Sequence, residues 1–522
     1  MVSTTVMTEG PPASESLVTP APTSMTGGWG TLVTVALGVV MVGLDGTVVS
    51  VANPAIQRDL HASLADLQWI TNAYLLSLAV TLVPGGKLGD RYGRRLVFLI
   101  GVIGFALSSL GVAVVGSVSG VIAMRSVQGV FGALLLPNTV ALLRAAFPEE
   151  ELNRAVGIWS SSSAAAIAGG PVIGGLLVEN VDWQSVFLIN LPVGMATVAC
   201  GLLVMPESRE SVRQRFDIPG LVLLAGGVFC LVYGLIRSET SSWTAPVTLV
   251  LMVGAAVLMV AFVMVERRQP APLLPMHLFA SRSVSLGAVT LLLNFFALFG
   301  VLFFVSLYFQ NVQHLDAVQG GVRLLPLIGV FSITSPYAGR VTSRFGAALP
   351  ITAGLALCTA SLLSLLTVSV HASFWTICPG LIGIGLGISL VVVASTEAII
   401  ANAPVDEAGV AGGLQGIAVQ LGGVLGSSIL GTILAARVSS ALPPSFPVAR
   451  QLVEQGIVPA GTSPATTAVA YHAFLSGLRL ALLVAAAATF AGALCGPWIG
   501  ATSGGDSDGS APGTRDRAVV HI

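Results

Sequence analysis

Asp45 is the one acidic residue set well inside a long apolar run, in Met41-Val42-Gly43-Leu44-Asp45-Gly46. Arg125 occupies a similar setting in Ile122-Ala123-Met124-Arg125-Ser126-Val127-Gln128. A charge at the centre of a bilayer costs about 2.5–3.5 kcal/mol on insertion scales and is normally kept for function. If both runs span a membrane in opposite directions, Asp45 sits about 10 Å and Arg125 about 9 Å from the same surface, at 1.5 Å per helical residue. Gln128, three residues after Arg125, shares its helical face. Burial disfavours an ionised carboxylate and a nearby guanidinium favours it, so moving such a pair apart or together takes up or releases a proton. The alternative is a static ion pair that fastens two helices.

Three other patterns carry chemistry. Gly86-Lys87-Leu88-Gly89-Asp90-Arg91-Tyr92-Gly93-Arg94-Arg95 is a tight, basic turn holding one acid. Its glycines let helix ends meet closely, and Asp90 suits a neighbouring arginine or a helix N-terminus. That is a latch between helix ends, or else a plain basic anchor at the membrane surface. Gly169-Gly170-Pro171-Val172-Ile173-Gly174-Gly175 interrupts an apolar run. Pro171 removes a helical hydrogen bond, while Gly170, Gly174 and Gly175 allow a close helix crossing. Asn294, Phe296, Phe299 and Phe303 lie along another run, the three rings at i, i+3, i+7 on one face. They suit an apolar, aromatic-walled pocket, or a lipid-facing surface.

The elements that must position these residues are membrane spans. Of the 522 residues 54% are hydrophobic and only 9% charged, against about 25% charged in soluble domains; mean hydropathy is +0.90. Roughly fourteen apolar runs reach the ~20 residues that a spanning helix needs. Both polar ends, 1–29 and 501–522, are expected to be tails, the first of them disordered. Sixteen of the basic residues fall in the tails and even-numbered loops and four in the odd-numbered loops, which places both termini in the cytoplasm of a multi-pass cell (inner) membrane protein. The longest loop, 437–473, then faces outward, with a short helix near Val448–Gln455.

A faint repeat divides the chain. Gly86, Arg91 and Gly93 recur 253 residues on as Gly339, Arg344 and Gly346, and Gly169-Gly170 recur as Gly422-Gly423. The expected fold is therefore all-α and polytopic, with about fourteen spans. A six-helix half covers 30–205, two inserted linker helices 218–265, and a second six-helix half 284–500. Two parallel repeats with a site between them is a transporter plan.

Other chemistries are excluded. Net charge is −1, which gives no footprint for nucleic acid. Lys87 is the only lysine and Leu88 follows it, so no phosphate-binding G-x-x-x-x-G-K-[ST] loop exists and no nucleotide is expected. Five scattered cysteines and six histidines form no C-x-x-C or H-E-x-x-H, so no metal, cofactor or enzyme activity is expected.

The basic turn resembles the signature loop of the major facilitator superfamily. Leu44 to Ile56, Arg125-Ser126-Val127-Gln128-Gly129, and the run Gly157 to Gly175 are similar to the first-, fourth- and fifth-span motifs of its drug:proton antiporter branch with fourteen spans. The similarity extends over about 30–500. It implies proton-coupled efflux of hydrophobic or amphiphilic small molecules, such as antibiotics or drugs, by a monomer whose partners are substrate, protons and lipid. It implies proton coupling by Asp45, Arg125 and Gln128, a cytoplasmic latch of Gly86, Asp90, Arg91, Gly93 and Arg94, and an antiporter hinge of Gly170, Pro171, Gly174 and Gly175. The alternative is a proton symporter for metabolite uptake, which should carry several mid-membrane acids. Two departures stand out: Asn53 replaces the usual apolar residue before the proline, and Ser343 stands in the second-half turn where the first has Asp90.

Overall fold

The computed structural model describes residues 25–207, 217–241, 244–270, 272–402, 408–443, 446–459 and 461–499; most of the two expected tails lies outside them. The helices are α1 (Met25–Leu60), α2 (Leu64–Tyr92), α3 (Arg94–Val114), α4 (Val118–Ala146), α5 (Glu149–Asn180), α6 (Ser185–Leu188), α7 (Asn190–Val204), α8 (Ile218–Ser241) and α9 (Pro246–Glu266). Then follow α10 (Arg282–Leu307), α11 (Ala317–Phe345), α12 (Ala348–Ser364), α13 (Phe374–Ile400), α14 (Ala408–Ala441), α15 (Arg450–Val453) and α16 (Pro464–Cys495). Among the described residues thirteen helical segments are long and apolar enough to cross a membrane, α6 and α7 acting as one. The remaining run of the sequence reading falls in α5, whose apolar part is 165–180. Apolar side chains such as Leu203 and Val250 stand 84% and 71% exposed, so these faces need lipid as their solvent.

Local signals fix the helix ends. Ser63 and Asp66 form a reciprocal capping box at the start of α2, satisfying two orphan backbone donors at once. Ser117, Ser281, Asp316 and Ser463 cap α4, α10, α11 and α16. The α2–α3 and α11–α12 turns each hinge on a glycine with positive φ, Gly93 at +116° and Gly346 at +73°. A side chain there would strain the backbone, which explains why this glycine recurs in the repeat.

Shifting α2 by 253 residues lands on α11, end for end. The packing repeats likewise. Within the first half α1 packs on α5 and α7, and α4 on α2 and α3; within the second, α10 packs on α14 and α16, and α13 on α11 and α12. The halves meet through α5 on α11 and α14 on α2. The hairpin α8–α9 is the insertion: α8 lies against both α2 and α14, and so covers that seam. At the seam, Asn72 donates to Ser428 Oγ at 2.8 Å and accepts from Ser427 Oγ at 2.6 Å.

The bundle has a terminal end, carrying Met25 and Cys495, and a loop end, carrying residues 437–443, 446–459 and 461–473. At the loop end α10 closes in a π-helical turn, Tyr308–Val312. That turn aims Gln310 Nε2 at Val51 O of α1, 3.1 Å away, and Asn311 Nδ2 at Gln455 O, 2.8 Å away. The short helix α15 thus sits beside the junction of the halves rather than in an independent loop.

Candidate functional site

Asp45 of α1 and Arg125 of α4 meet inside the first half. Arg125 Nη1 donates to Asp45 Oδ2 at 2.5 Å, and both side chains are almost wholly buried. Arg125 also donates from Nε to Ile70 O at 3.2 Å and from Nη1 to Gln128 Oε1. Its guanidinium lies 4.1 Å from the centre of the Tyr74 ring, a cation–π contact. Gln128 Nε2 donates to the second carboxylate oxygen, Asp45 Oδ1, at 2.8 Å and to Ser109 Oγ at 2.8 Å. Asn190 Nδ2 reaches the same two oxygens at 3.3 and 3.1 Å.

The sequence reading did not single out Asn190. Its signal was available: a polar residue two before Pro192 in an otherwise apolar run. The chain breaks between α6 and α7 at Ile189, and Asn190 begins the new helix beside the carboxylate. The carboxylate is therefore held by donors from α4 and α7. An ionised carboxylate only accepts hydrogen bonds; a protonated one must donate with one oxygen. Protonation of Asp45 turns at least one of these contacts from attraction to conflict, and the contact to Arg125 carries the most energy.

One face of this cluster opens on a small pocket between the halves. Tyr74 and Arg125 form its wall toward the ion pair, Asn53 and Ser50 contribute from α1, and Phe299 and Phe303 from α10. Phe296 and Asn294 do not line it. Phe296 is 6% exposed, and its backbone lies under Gly426 of α14, so close that no side chain fits at Gly426. Asn294 is 1% exposed, with neither amide atom partnered. The three rings do share a side of α10, but α14 covers part of that side. Phe296→Ala should accordingly cost about 3–5 kcal/mol of stability whatever the ligand. Phe299→Ala should leave the melting curve of the purified protein nearly unchanged and reduce the shift that ligand produces.

The glycines of α5 are sites of close approach. A Cβ at Gly170 would overlap Thr47 Oγ1, and one at Gly174 would lie 2.5 Å from Val48, both on α1. One at Gly175 would lie 2.6 Å from Ala317 O on α11, and Gly321 of α11 is pressed against Pro171 O. The motif is a three-helix crossing that joins the halves on the loop-end side of the pocket.

In the basic turn Asp90 Oδ1 accepts from Arg94 Nε and Nη2 at 2.9 and 2.8 Å. Gly89 is packed directly against Asn138 of α4 and Gly86 more loosely against Pro137, while Gly93 leaves room for the carboxylate of Glu207. Arg95 donates its backbone N–H to Glu207 Oε1 at 3.2 Å. Arg91 lies over the Tyr92 ring at 5.2 Å. Lys87 Nζ donates to Pro272 O at 3.1 Å, beyond α9. Glu207, which the sequence reading left aside, anchors the turn to the end of the first half.

Two six-helix halves related by a repeat, with a buried acid–arginine pair and a pocket between them, match a known family. The family described as Major Facilitator Superfamily matches residues 35–427. The chain belongs to that superfamily. It is 44% identical over 479 residues to a tetracenomycin C resistance and export protein of Streptomyces glaucescens, covering 88% of this chain and 89% of that one. It is 34% identical, with the same coverage, to the multidrug resistance protein Stp of Mycobacterium tuberculosis. A bacterial homologue of the human lysosomal transporter Spinster, solved inward-facing and occupied, shares the fold at 15% identity and a TM-score of 0.60, over 90% of this chain and 96% of that one. This superfamily member is a multi-pass membrane transporter of small molecules.

Proposed function

We propose that this transporter exports hydrophobic or amphiphilic small molecules, antibiotics among them, in exchange for protons bound at Asp45. The observation that carries the coupling is Arg125, which faces both partners: its guanidinium holds the carboxylate and also lies against Tyr74 on the pocket wall. A ligand pressing on that wall displaces the arginine; a proton on Asp45 releases it. Export rather than uptake rests on two supports. The first is the resistance and export proteins among the relatives. The second is Asp45, among the described residues the one acid buried in the pocket region.

The basic residues of the terminal end support a cytoplasmic position for that end. The pocket in this structure is then sealed on the outside by the α5–α11 crossing and by the π-helical turn. The turn around Asp90, held here within the first half, serves as a latch that closes the cytoplasmic side in the opposite state. One charge moving down 100 mV releases about 2.3 kcal/mol, enough for a substrate gradient of roughly fifty-fold per proton. The test is ligand-driven alkalinisation in everted vesicles carrying an acid interior. Addition of a transported compound should draw protons out of the lumen as the compound enters it. Ligand accumulation that ignores the pH gradient excludes antiport, and acidification of the lumen favours the symport alternative.

A further inference from the structure

Asn53 lies on the pocket wall, eight residues beyond Asp45 on α1 and immediately before Pro54. It is 0% exposed, and neither its Nδ2 nor its Oδ1 has a hydrogen-bond partner. A buried amide left unpaired forfeits its hydration without replacement, so its presence in a bilayer-spanning helix needs a reason. Two of the nearby polar groups are committed elsewhere. Ser50 Oγ donates to Thr47 O on its own helix at 2.6 Å, and Arg125 is held by Asp45, Gln128 and Ile70. Facing Asn53 across the pocket are the α10 side chains Phe299, Leu302 and Phe303.

We infer that Asn53 is a specificity-determining residue of the pocket, and that its amide takes a paired donor and acceptor from the transported molecule. An amide offers an acceptor and a two-hydrogen donor side by side. The group that satisfies both is a carboxamide, whose donor and acceptor lie side by side and cannot bond each other. The aromatic walls select a flat ring system to carry it. Arg125 is neutralised by Asp45, so the pocket does not require charge on the ligand. The preferred class is therefore neutral, planar and aromatic, with a carboxamide on one edge.

This inference rests on the pocket being the transport site, and its test separates the two. Purified protein in detergent is titrated with anthracene-2-carboxamide and with anthracene, which has the same three fused rings and no polar edge. The wild type should bind the carboxamide at least about ten-fold more tightly, since a site built to hydrogen-bond discriminates strongly against analogues that cannot. Asn53→Leu should remove that preference by weakening the carboxamide about ten-fold, leave anthracene unchanged or tighter, and raise the melting temperature of the unliganded protein. Asn53→Ala should lose the same preference should the leucine variant fold poorly. Equal loss of both probes, or a fall in unliganded stability with the preference intact, makes Asn53 a packing residue and overturns the assignment. Wild-type protein that binds neither probe, or both alike, overturns it too. Proton-linked export in vesicles would stand in each of those cases, because it does not depend on which molecules the pocket prefers.

Discussion

Asp45→Asn should leave a folded protein that still binds ligand but no longer moves protons when ligand is added. The variant keeps an acceptor for Gln128 and Asn190, and Arg125 keeps Ile70 O, Gln128 Oε1 and the Tyr74 ring. What it loses is the counter-charge. Breaking a buried pair by removing one partner costs about 3–5 kcal/mol, and the remaining contacts of Arg125 hold the loss near the lower figure. The expected result has two parts. The melting temperature falls, and ligand-induced proton flux in reconstituted vesicles drops to that of protein-free vesicles while equilibrium ligand binding persists. Arg125→Ala should be more damaging to folding, because it strands a carboxylate whose other donors are neutral amides. Undiminished proton flux through Asp45→Asn would remove Asp45 from the coupling step and leave the pair as a fastening between α1 and α4.

The architecture was legible because it depends on features that a sequence states outright. Spans follow from runs of apolar residues, and the repeat from glycines that a positive φ enforces, as at Gly93 and Gly346. The meeting of Asp45 and Arg125 was legible for a related reason. In a bilayer, depth along a helix is a coordinate, and two charges at one depth on antiparallel spans have few other partners. What the sequence withheld were the lateral coordinates. Nothing in the spacing of Phe296, Phe299 and Phe303 tells which part of their face α14 will cover. That is set by Gly422 and Gly426, more than a hundred residues away, which let α14 lie directly on the α10 backbone. Asn190 joins the site because the sixth span breaks at Ile189, and a break of one residue is invisible in hydropathy. Gln310 and Asn311 reach α1 and the 437–473 loop only through the π-helical turn, whose extra residue shifts the face on which they emerge. The departure at Asn53 was visible as a residue type out of place, but its unpartnered amide needed the walls of the pocket to acquire a meaning.

The crossing of α5 and α11 should control which side of the pocket is closed. At Gly175 an added Cβ meets Ala317 O at 2.6 Å and Val318 Cα at 2.8 Å, both backbone atoms with no rotamer to yield. Gly321 meets the Pro171 carbonyl from the other helix. By contrast, a Cβ at Gly169 lies at ordinary distance from Ile173 and Leu44, at 3.4 and 3.9 Å. Gly175→Val should therefore wedge α5 from α11 at the loop end, whereas Gly169→Ala should not. Overpacking of this kind costs about 1–3 kcal/mol, and here it penalises only the state in which the two helices touch. The equilibrium between loop-end-closed and loop-end-open states should move by roughly 5- to 150-fold. Within each half the packing is untouched, so the protein should fold and melt much as before. Spin labels placed at Val181 and Gln319, beside the loop ends of the two helices, should report a longer distance in Gly175→Val and an unchanged one in Gly169→Ala. Export should fall with that shift, because each cycle must return to the closed crossing before the pocket can be refilled from the terminal end. An unchanged label distance with normal export would mean that the halves accommodate a side chain there in both states, and that the glycines of α5 serve its packing on α1 at Thr47 and Val48 rather than the closure of the transporter.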